Sequence, residues 1–523
     1  MTKYLLTSFI LLIIQSISKG QQLYFAPVGD QIYQYQDFSY KIIGNINDHI
    51  VIWKHFRSQK QSAIFIYDKK MNLEKRVAMQ YVSNLPLEQI DFINKGQSFD
   101  AIFQQYSKNF YYEMVAHLND KGELIKPVDT LQVLKRSKET GLEITNFIVS
   151  ENRKNVALFR ILSGDSENTS MIEFLILDEN MHLKKRRTIN ILINNNQIGP
   201  FYIDNAGSII FCETHHSIEN HITSLTVFKV RNNTDSILSI LEDMVTPLPV
   251  TADIKIDETL HEYLIYGLLN NFYKKSSIQE SRSIFTLLLN NDLNPVNGDS
   301  VLAYNISGQL SLNKNKVPYF KNPQINKTDS GFIITCVPNI FLTKGQVSQP
   351  IEFTSISQPF TPSKAGMQLN VPGPPIYEAL NSTGQQYTSN QIPTSSASEK
   401  MLPLKDKVLV IYKLDNEKHM IFLTKLTGDM EDHLNSKLEE AFIFYQGNNT
   451  HVIYPKSFNT KRELYSDAVI NETGKVQLNP IISNHLKYKL KTANAVQLDI
   501  NSIIFPCFID DHLTFAKLEY DLN

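Results

Sequence analysis

A chain of 523 residues is longer than the usual single domain, so it holds either several domains or one large repeat fold. With 42% hydrophobic and 10% aromatic residues it can build a substantial core, which excludes general disorder. Its 51 Lys and Arg residues stand against 53 Asp and Glu, a balance without the basic excess of a dedicated nucleic-acid binder.

The first residues, MTKYLLTSFILLIIQSISKGQQ, read as a secretory signal peptide. Lys3 supplies the charged start, Tyr4 to Ile14 the apolar run, and Ser18, Lys19 and Gly20 a small-x-small cleavage site. Residues 1–20 are therefore expected to be removed, leaving Gln21 first. A membrane anchor is the alternative, but spanning needs about 20 apolar residues and this run is shorter. No later run is long enough to span, so the expectation is a secreted or periplasmic protein with no transmembrane segment in its mature part. Three cysteines sit in alike settings, IIFCE at Cys212, IITCV at Cys336 and IIFPCF at Cys507, and are read as small buried apolar residues. A disulfide between two of them is the alternative.

Next comes a phrase that repeats. Residues 64–76, IFIYDKKMNLEKR, return at 174–186 as FLILDENMHLKKR. An Asp or Asn followed five residues later by an apolar residue recurs at Asp68/Leu73, Asn119/Leu124, Asp178/Leu183, Asn232/Ile237, Asp415/Met420 and Asn471/Val476. Asp and Asn suit a hairpin here because their side chains bond the backbone two residues on and tolerate left-handed dihedrals. Around each such turn four strands, A to D, are expected. In the first unit A lies near Phe38 to Ile43, B is HIVIWKHF, C is SAIFIY, and D runs from Leu73 to about Gln80. Later B strands are DAIFQQY, NVALFRIL, SIIFCE, EYLIYGLL, GFIITCV, HVIYPKSF and SIIFPCF. Polar turns such as INDH and DNAG precede most of them and fit tight A–B hairpins.

Four-stranded units of about 40–50 residues without intervening helices resemble the blades of the β-propeller superfamily, over almost the whole mature chain. The reading is one all-β domain over residues 21–523, an eight-bladed β-propeller, with seven or nine blades as alternative counts and a β-sandwich array as the other architecture. The last unit stops after its C strand, HLTFAKLEY, and the segment after the signal, QQLYFA, is expected to close it. Such closure covers an exposed sheet edge. The sixth unit carries an insertion at about 338–406, between its B strand and KVLVIYKL, with PGPP and a Ser/Thr/Gln-rich stretch. It is read as a surface loop, or as a lid, since B–C loops lie on the face where the resemblance places ligands. A short helix is expected in GDMEDHLNSKLEEAF.

The signatures that separate propeller families are absent. There is no Trp-Asp dipeptide, no paired-glycine pattern, and SGDSENTS lacks the glycine and aromatic end of the sialidase box. No GxSxG, HExxH or phosphate-binding loop occurs either. Polar candidates are the residues that B–C loops would carry to one mouth: His55, Arg57, Arg160, Glu213, His215, His216, Lys456 and Asp510, the last beside Asp511. The ETHHSIENH cluster, with His221, suggests a metal site, but adjacent histidines in an extended chain point to opposite sides. No metal or other cofactor is therefore assigned. The only Trp, Trp53, sits among apolar neighbours and is expected in the core. The functional expectation is a non-catalytic binding or scaffold propeller for a protein, peptide or glycan partner. The alternative is a hydrolase or lyase whose polar residues gather under the 338–406 lid, and enzyme status stays open between them.

Overall fold

In the computed structural model the described residues are 21–27, 38–56, 61–82, 87–106, 109–135, 145–163, 169–192, 196–216, 222–234, 236–243, 252–271, 280–296, 302–305, 323–328, 331–337, 408–415, 420–427, 435–436, 438–457, 463–479, 482, 488–509 and 512–520. The expected signal peptide, Arg57, Asp510, Asp511 and the 338–406 insertion lie outside them.

Local pattern produces short antiparallel hairpins, and these build eight sheets in a ring, an eight-bladed β-propeller; six sheets have four strands, and those of blades 7 and 8 have five because their innermost strand is split in two. Blade 1 is typical, with strands A Phe38–Ile46, B His49–Phe56, C Gln61–Tyr67 and D Leu73–Ala78. Its middle strands are apolar at nearly every position because both faces are covered. Ile50 and Ile52 enter the seam with blade 8, while Val51 and Trp53 enter the seam with blade 2. An apolar seam of this kind stands at each of the eight junctions. Strand D lies at the outer edge and alternates between exposed and half-buried positions. Trp53 is buried, 4% exposed, against blade 2. The three cysteines are free and fully buried.

Two features of the sequence locate the ends of the ring. Blade 6 joins its B strand, Gly331–Cys336, to its C strand, Val408–Leu414, across the insertion. Blade 8 takes its outer strand, Gln22–Phe25, from the start of the chain. That strand pairs antiparallel with His512–Glu519, Gln22 opposite Glu519 and Phe25 opposite Ala516. The helix expected in 428–442 is not found in its described part. Asn435–Ser436 pair with Ser457 and Lys456 of blade 7, and a single 3-10 turn, Leu438–Glu440, follows. Pairing to an open sheet edge satisfies backbone groups that a short helix would leave unbonded at its ends. Among the described residues no helix is long and apolar enough to cross a membrane.

The recurring Asx turn joins strands C and D. The Asp68 Oδ1 accepts from the backbone N–H of Lys70 and of Asn72, both at 2.8 Å. Asp178 does the same with Asn180 and His182, Asn119 with Lys121 and Glu123, Asn290 with Asp292 and Asn294, and Asn471 with Thr473 and Lys475. The left-handed residue, however, is three positions later than the Asx itself. Gly122 and Gly474 occupy it without strain at φ 71° and 82°, whereas Met71, Met181 and Leu293 hold φ 64°, 67° and 61°. A non-Gly residue there costs roughly 1–3 kcal/mol. Burial offsets that cost, since all three side chains are at most 4% exposed in the seams.

Burial pushes the Asp68 carboxyl up, but the Asn72 amide and the two turn N–H groups outweigh it, so it titrates below its usual range. Asp178 is likewise lowered against burial by the His182 and Asn180 N–H groups. A lowered carboxylate stabilises the fold above its unfolded value and loses that contribution as pH falls through its folded value. Acid unfolding of the double variant Asp68→Asn, Asp178→Asn is therefore expected to be less steep below about pH 4 than that of the native chain. An unchanged acid limb in urea melts at pH 3 and pH 5 would refute this.

Candidate functional site

The sequence-derived candidates sit near the B–C ends of four blades. His55 stacks beside Trp53 with ring centroids 6.0 Å apart, and its Nδ1 lies 2.9 Å from the Ser62 hydroxyl. Lys456, on strand B of blade 7 (Asn449–Ser457), is 3% exposed. In blade 4, Glu213, His215 and His216 lie on strand B, Ile209–His216. The His216 Nε2 is 2.9 Å from the Thr214 hydroxyl, so those two share a face and His215 takes the other, as strand alternation requires. Among the described residues no group of three or more His, Cys, Asp or Glu could hold a metal ion.

Arg160 is the candidate that gathers partners. It lies on strand B of blade 3 (Asn155–Ser163), and its Nε donates to Glu173 Oε2 at 2.8 Å. Arg186 approaches the other Glu173 oxygen at 3.7 Å. Across the seam, Glu113 of blade 2 is 2% exposed and accepts from the Gln132 amide. Burial pushes the Glu113 carboxyl up, against the opposing pull of Thr145, Gln132 and the Arg160 charge. Glu113 and Glu173 were not singled out from sequence. Their one signal was a carboxylate in mid-strand with mostly apolar neighbours, YYEMVA in one strand and MIEFLIL in the other.

A second cluster lies on the A strands of blades 4, 5 and 7 and the B strand of blade 5, and sequence reading missed it entirely. Asp253 opens strand A of blade 5, Asp253–Asp257, directly opposite Tyr266 of strand B. Its Oδ1 accepts from the Tyr202 hydroxyl of blade 4 at 2.6 Å and from the Ile254 N–H at 2.8 Å. Its Oδ2 accepts from the Tyr266 hydroxyl at 3.1 Å. Tyr445, on strand A of blade 7 (Phe442–Gln446), adds to the field at Tyr266, with Thr335 of blade 6 beside it. Asp253, Tyr202 and Tyr445 stay partly exposed.

The electrostatics of this cluster restrict its chemistry. Burial pushes the Asp253 carboxyl up, partly countered by its three hydrogen bonds. Burial and the Asp253 charge hold both phenols, Tyr202 and Tyr266, well above their ordinary value. These phenols remain donors at any ordinary pH. A carboxylate offers about four acceptor sites, and three of those on Asp253 are filled from within the protein. The group is fixed, polar and aromatic, better suited to recognition than to proton transfer.

No family model matches this chain, and no curated protein matches it. Solved structures similar to it are distant. A mutant of Synechocystis apocarotenoid oxygenase is 9% identical over 89% of this chain and 94% of that chain, with a TM-score of 0.35. Prolyl oligopeptidase B from Galerina marginata is 9% identical over 91% of this chain and 56% of that one, at 0.36. The polysaccharide lyase Uly1 is 8% identical over 86% and 91%, also at 0.36. Likenesses this remote carry no argument about activity. The chain's own eight sheets define its class: it is a diverged β-propeller.

Proposed function

We propose that this is an exported, non-catalytic binding propeller that holds a peptide or glycan partner at the second cluster, on blades 4, 5 and 7. The observation that supports it is the Tyr202–Asp253–Tyr266 arrangement, in which protein donors fill three acceptor sites of the carboxylate while Tyr202 and Asp253 stay partly exposed beside the buried Tyr266. Tyrosine offers a stacking surface with a polar tip, which suits ring-bearing or amide-rich ligands. Export is part of this reading and rests on the signal-like leader. N-terminal sequencing of the protein from its native host is expected to begin at Gln21.

The test is a thermal-shift and calorimetric screen of oligosaccharides and peptides against residues 21–523. A ligand that binds only the folded state raises the melting temperature by mass action. Tyr202→Phe removes one hydroxyl and is expected to weaken a true hit roughly tenfold, the scale of one hydrogen bond. A hit whose affinity is the same in Tyr202→Phe and Tyr266→Phe would move the site elsewhere. The second reading, a hydrolase or lyase, is favoured by one observation: Glu113 and Glu173 both lie about Arg160. Turnover of any screened compound that disappears in Glu173→Gln would displace the binding reading.

A further inference from the structure

Lys54 is an amine in an unusual place. It lies on strand B of blade 1, opposite Tyr40 and Ala63, in the seam with blade 8. Its Nζ stands 4.3 Å from the centre of the Phe65 ring, 5.1 Å from that of Phe515 and 6.0 Å from that of Tyr67. It donates to the Tyr67 hydroxyl at 3.3 Å, and among the described residues no carboxylate pairs with it. The side chain as a whole keeps part of its surface exposed, while its amine is enclosed by the aromatic rings. Arg76 is the other cation here. Opposite Phe65 on strand D, it places its guanidinium 5.4 Å from the Phe56 ring and 5.5 Å from the Phe65 ring. Burial, and secondarily the Arg76 charge, pull the Lys54 ammonium down to about 7, so a large share of it is neutral near neutrality.

A lysine in an apolar pocket beside a second cation is the arrangement that makes an amine nucleophilic toward carbonyl groups. We propose that Lys54 and Arg76 form a site for a small oxo acid, Lys54 capturing its carbonyl carbon as an imine and Arg76 holding its carboxylate. The neutral Nζ adds to the C=O bond to give a carbinolamine. Loss of water, which carries away the carbonyl oxygen and both amine hydrogens, then leaves the C=N bond. No electron is gained or lost, and the step is reversible. Burial keeps the Tyr67 phenol protonated, and from its place beside Nζ it assists departure of the oxygen. The aromatic walls shield the imine from hydrolysis.

The experiment is reductive trapping at pH 7 of the 21–523 chain with pyruvate and cyanoborohydride, followed by peptide mass mapping. The expected result is one dominant adduct, on Lys54, formed at least tenfold faster than on any other lysine, and absent in Lys54→Arg. Arg76→Gln is expected to slow trapping of pyruvate about tenfold more than trapping of acetaldehyde, which has no carboxylate and registers only the rise of the Lys54 ammonium that follows loss of the Arg76 charge. Adducts spread evenly over exposed lysines would overturn the site. Equal pyruvate labelling of native and Arg76→Gln protein would overturn the oxo-acid assignment. Because the Arg76 arm keeps Lys54 intact, it decides the question even if Lys54→Arg fails to fold.

Discussion

Replacing Gly331 by alanine is expected to unfold blade 6 and open the ring, a loss of about 4 kcal/mol or more. Gly331 begins strand B of that blade at φ 135°, a region essentially closed to residues with a side chain. A Cβ there overlaps the Leu414 carbonyl oxygen and sits 2.8 Å from both the Cα and the carbonyl carbon of Asp415. All of these are backbone atoms at the end of the neighbouring strand, Val408–Leu414, or in the residue just after it, so relief requires separating the two strands. Gly44 is the control. Its φ is 122°, but the nearest obstacle is the side-chain amide of Asn94 at 2.7 Å, which can shift at the expense of its hydrogen bonds to the Ile43 and Asn45 carbonyls without parting two strands. Urea unfolding followed by tyrosine fluorescence should show Gly331→Ala far below Gly44→Ala in midpoint. Equal midpoints would mean the blade 6 strands do not approach as described.

Asp467→Ala is expected to cost about 3–5 kcal/mol and to release the closing strand first. Asp467 is fully buried on strand C of blade 7, and four groups converge on it. Its Oδ2 accepts from the Gln21 amide at 2.7 Å, the Asn479 amide at 2.8 Å and the Tyr520 hydroxyl at 2.9 Å. The His451 Nδ1 stands 3.1 Å from each oxygen. Gln21 precedes the closing strand of blade 8 and Tyr520 follows its neighbour, so this one carboxylate fastens both of those strands to blade 7. Burial and the Asp467 charge hold the Tyr520 phenol well above its ordinary value, which keeps it a donor. Removing the carboxylate leaves those donors buried without an acceptor, the expensive way to break a hydrogen-bond network. Hydrogen exchange is the measurement. Amides of Leu23 to Phe25 should lose protection before those of blade 3, and simultaneous loss would show that the ends are not separately held. Tyr520→Phe, which removes one of the four partners, should cost only about 1 kcal/mol.

Much of the architecture was legible because it is written locally. HIVIWKHF and SIIFPCF are strands by composition alone, and the turn between C and D announces itself through one Asx side chain that caps two nearby N–H groups. Even the incomplete last unit was readable, since a ring cannot tolerate an open edge. The exception within this local set is instructive. Asp and Asn tolerate left-handed dihedrals, yet the left-handed position falls on Met71 and Met181, residues with no intrinsic taste for it. Only the pockets that bury those side chains explain the choice, and those pockets belong to neighbouring blades.

The site was barely legible, for the same reason. Arg160 was noticed as a charge near a loop, but Glu113 lies on another blade, and nothing along the chain ties the two together. Tyr202, Asp253, Tyr266 and Tyr445 come from three blades, and as single polar residues at strand ends they look ordinary. By itself the sequence determined the strand repeat, the blade count, the closing strand and the turn chemistry, because each depends on contacts within a few residues or on one edge needing a partner. Tertiary structure decided which polar side chains meet. Each seam pairs residues about 50 positions apart and the second cluster joins residues up to three blades apart, and the repeat that spaces the blades does not say which polar side chains meet across them.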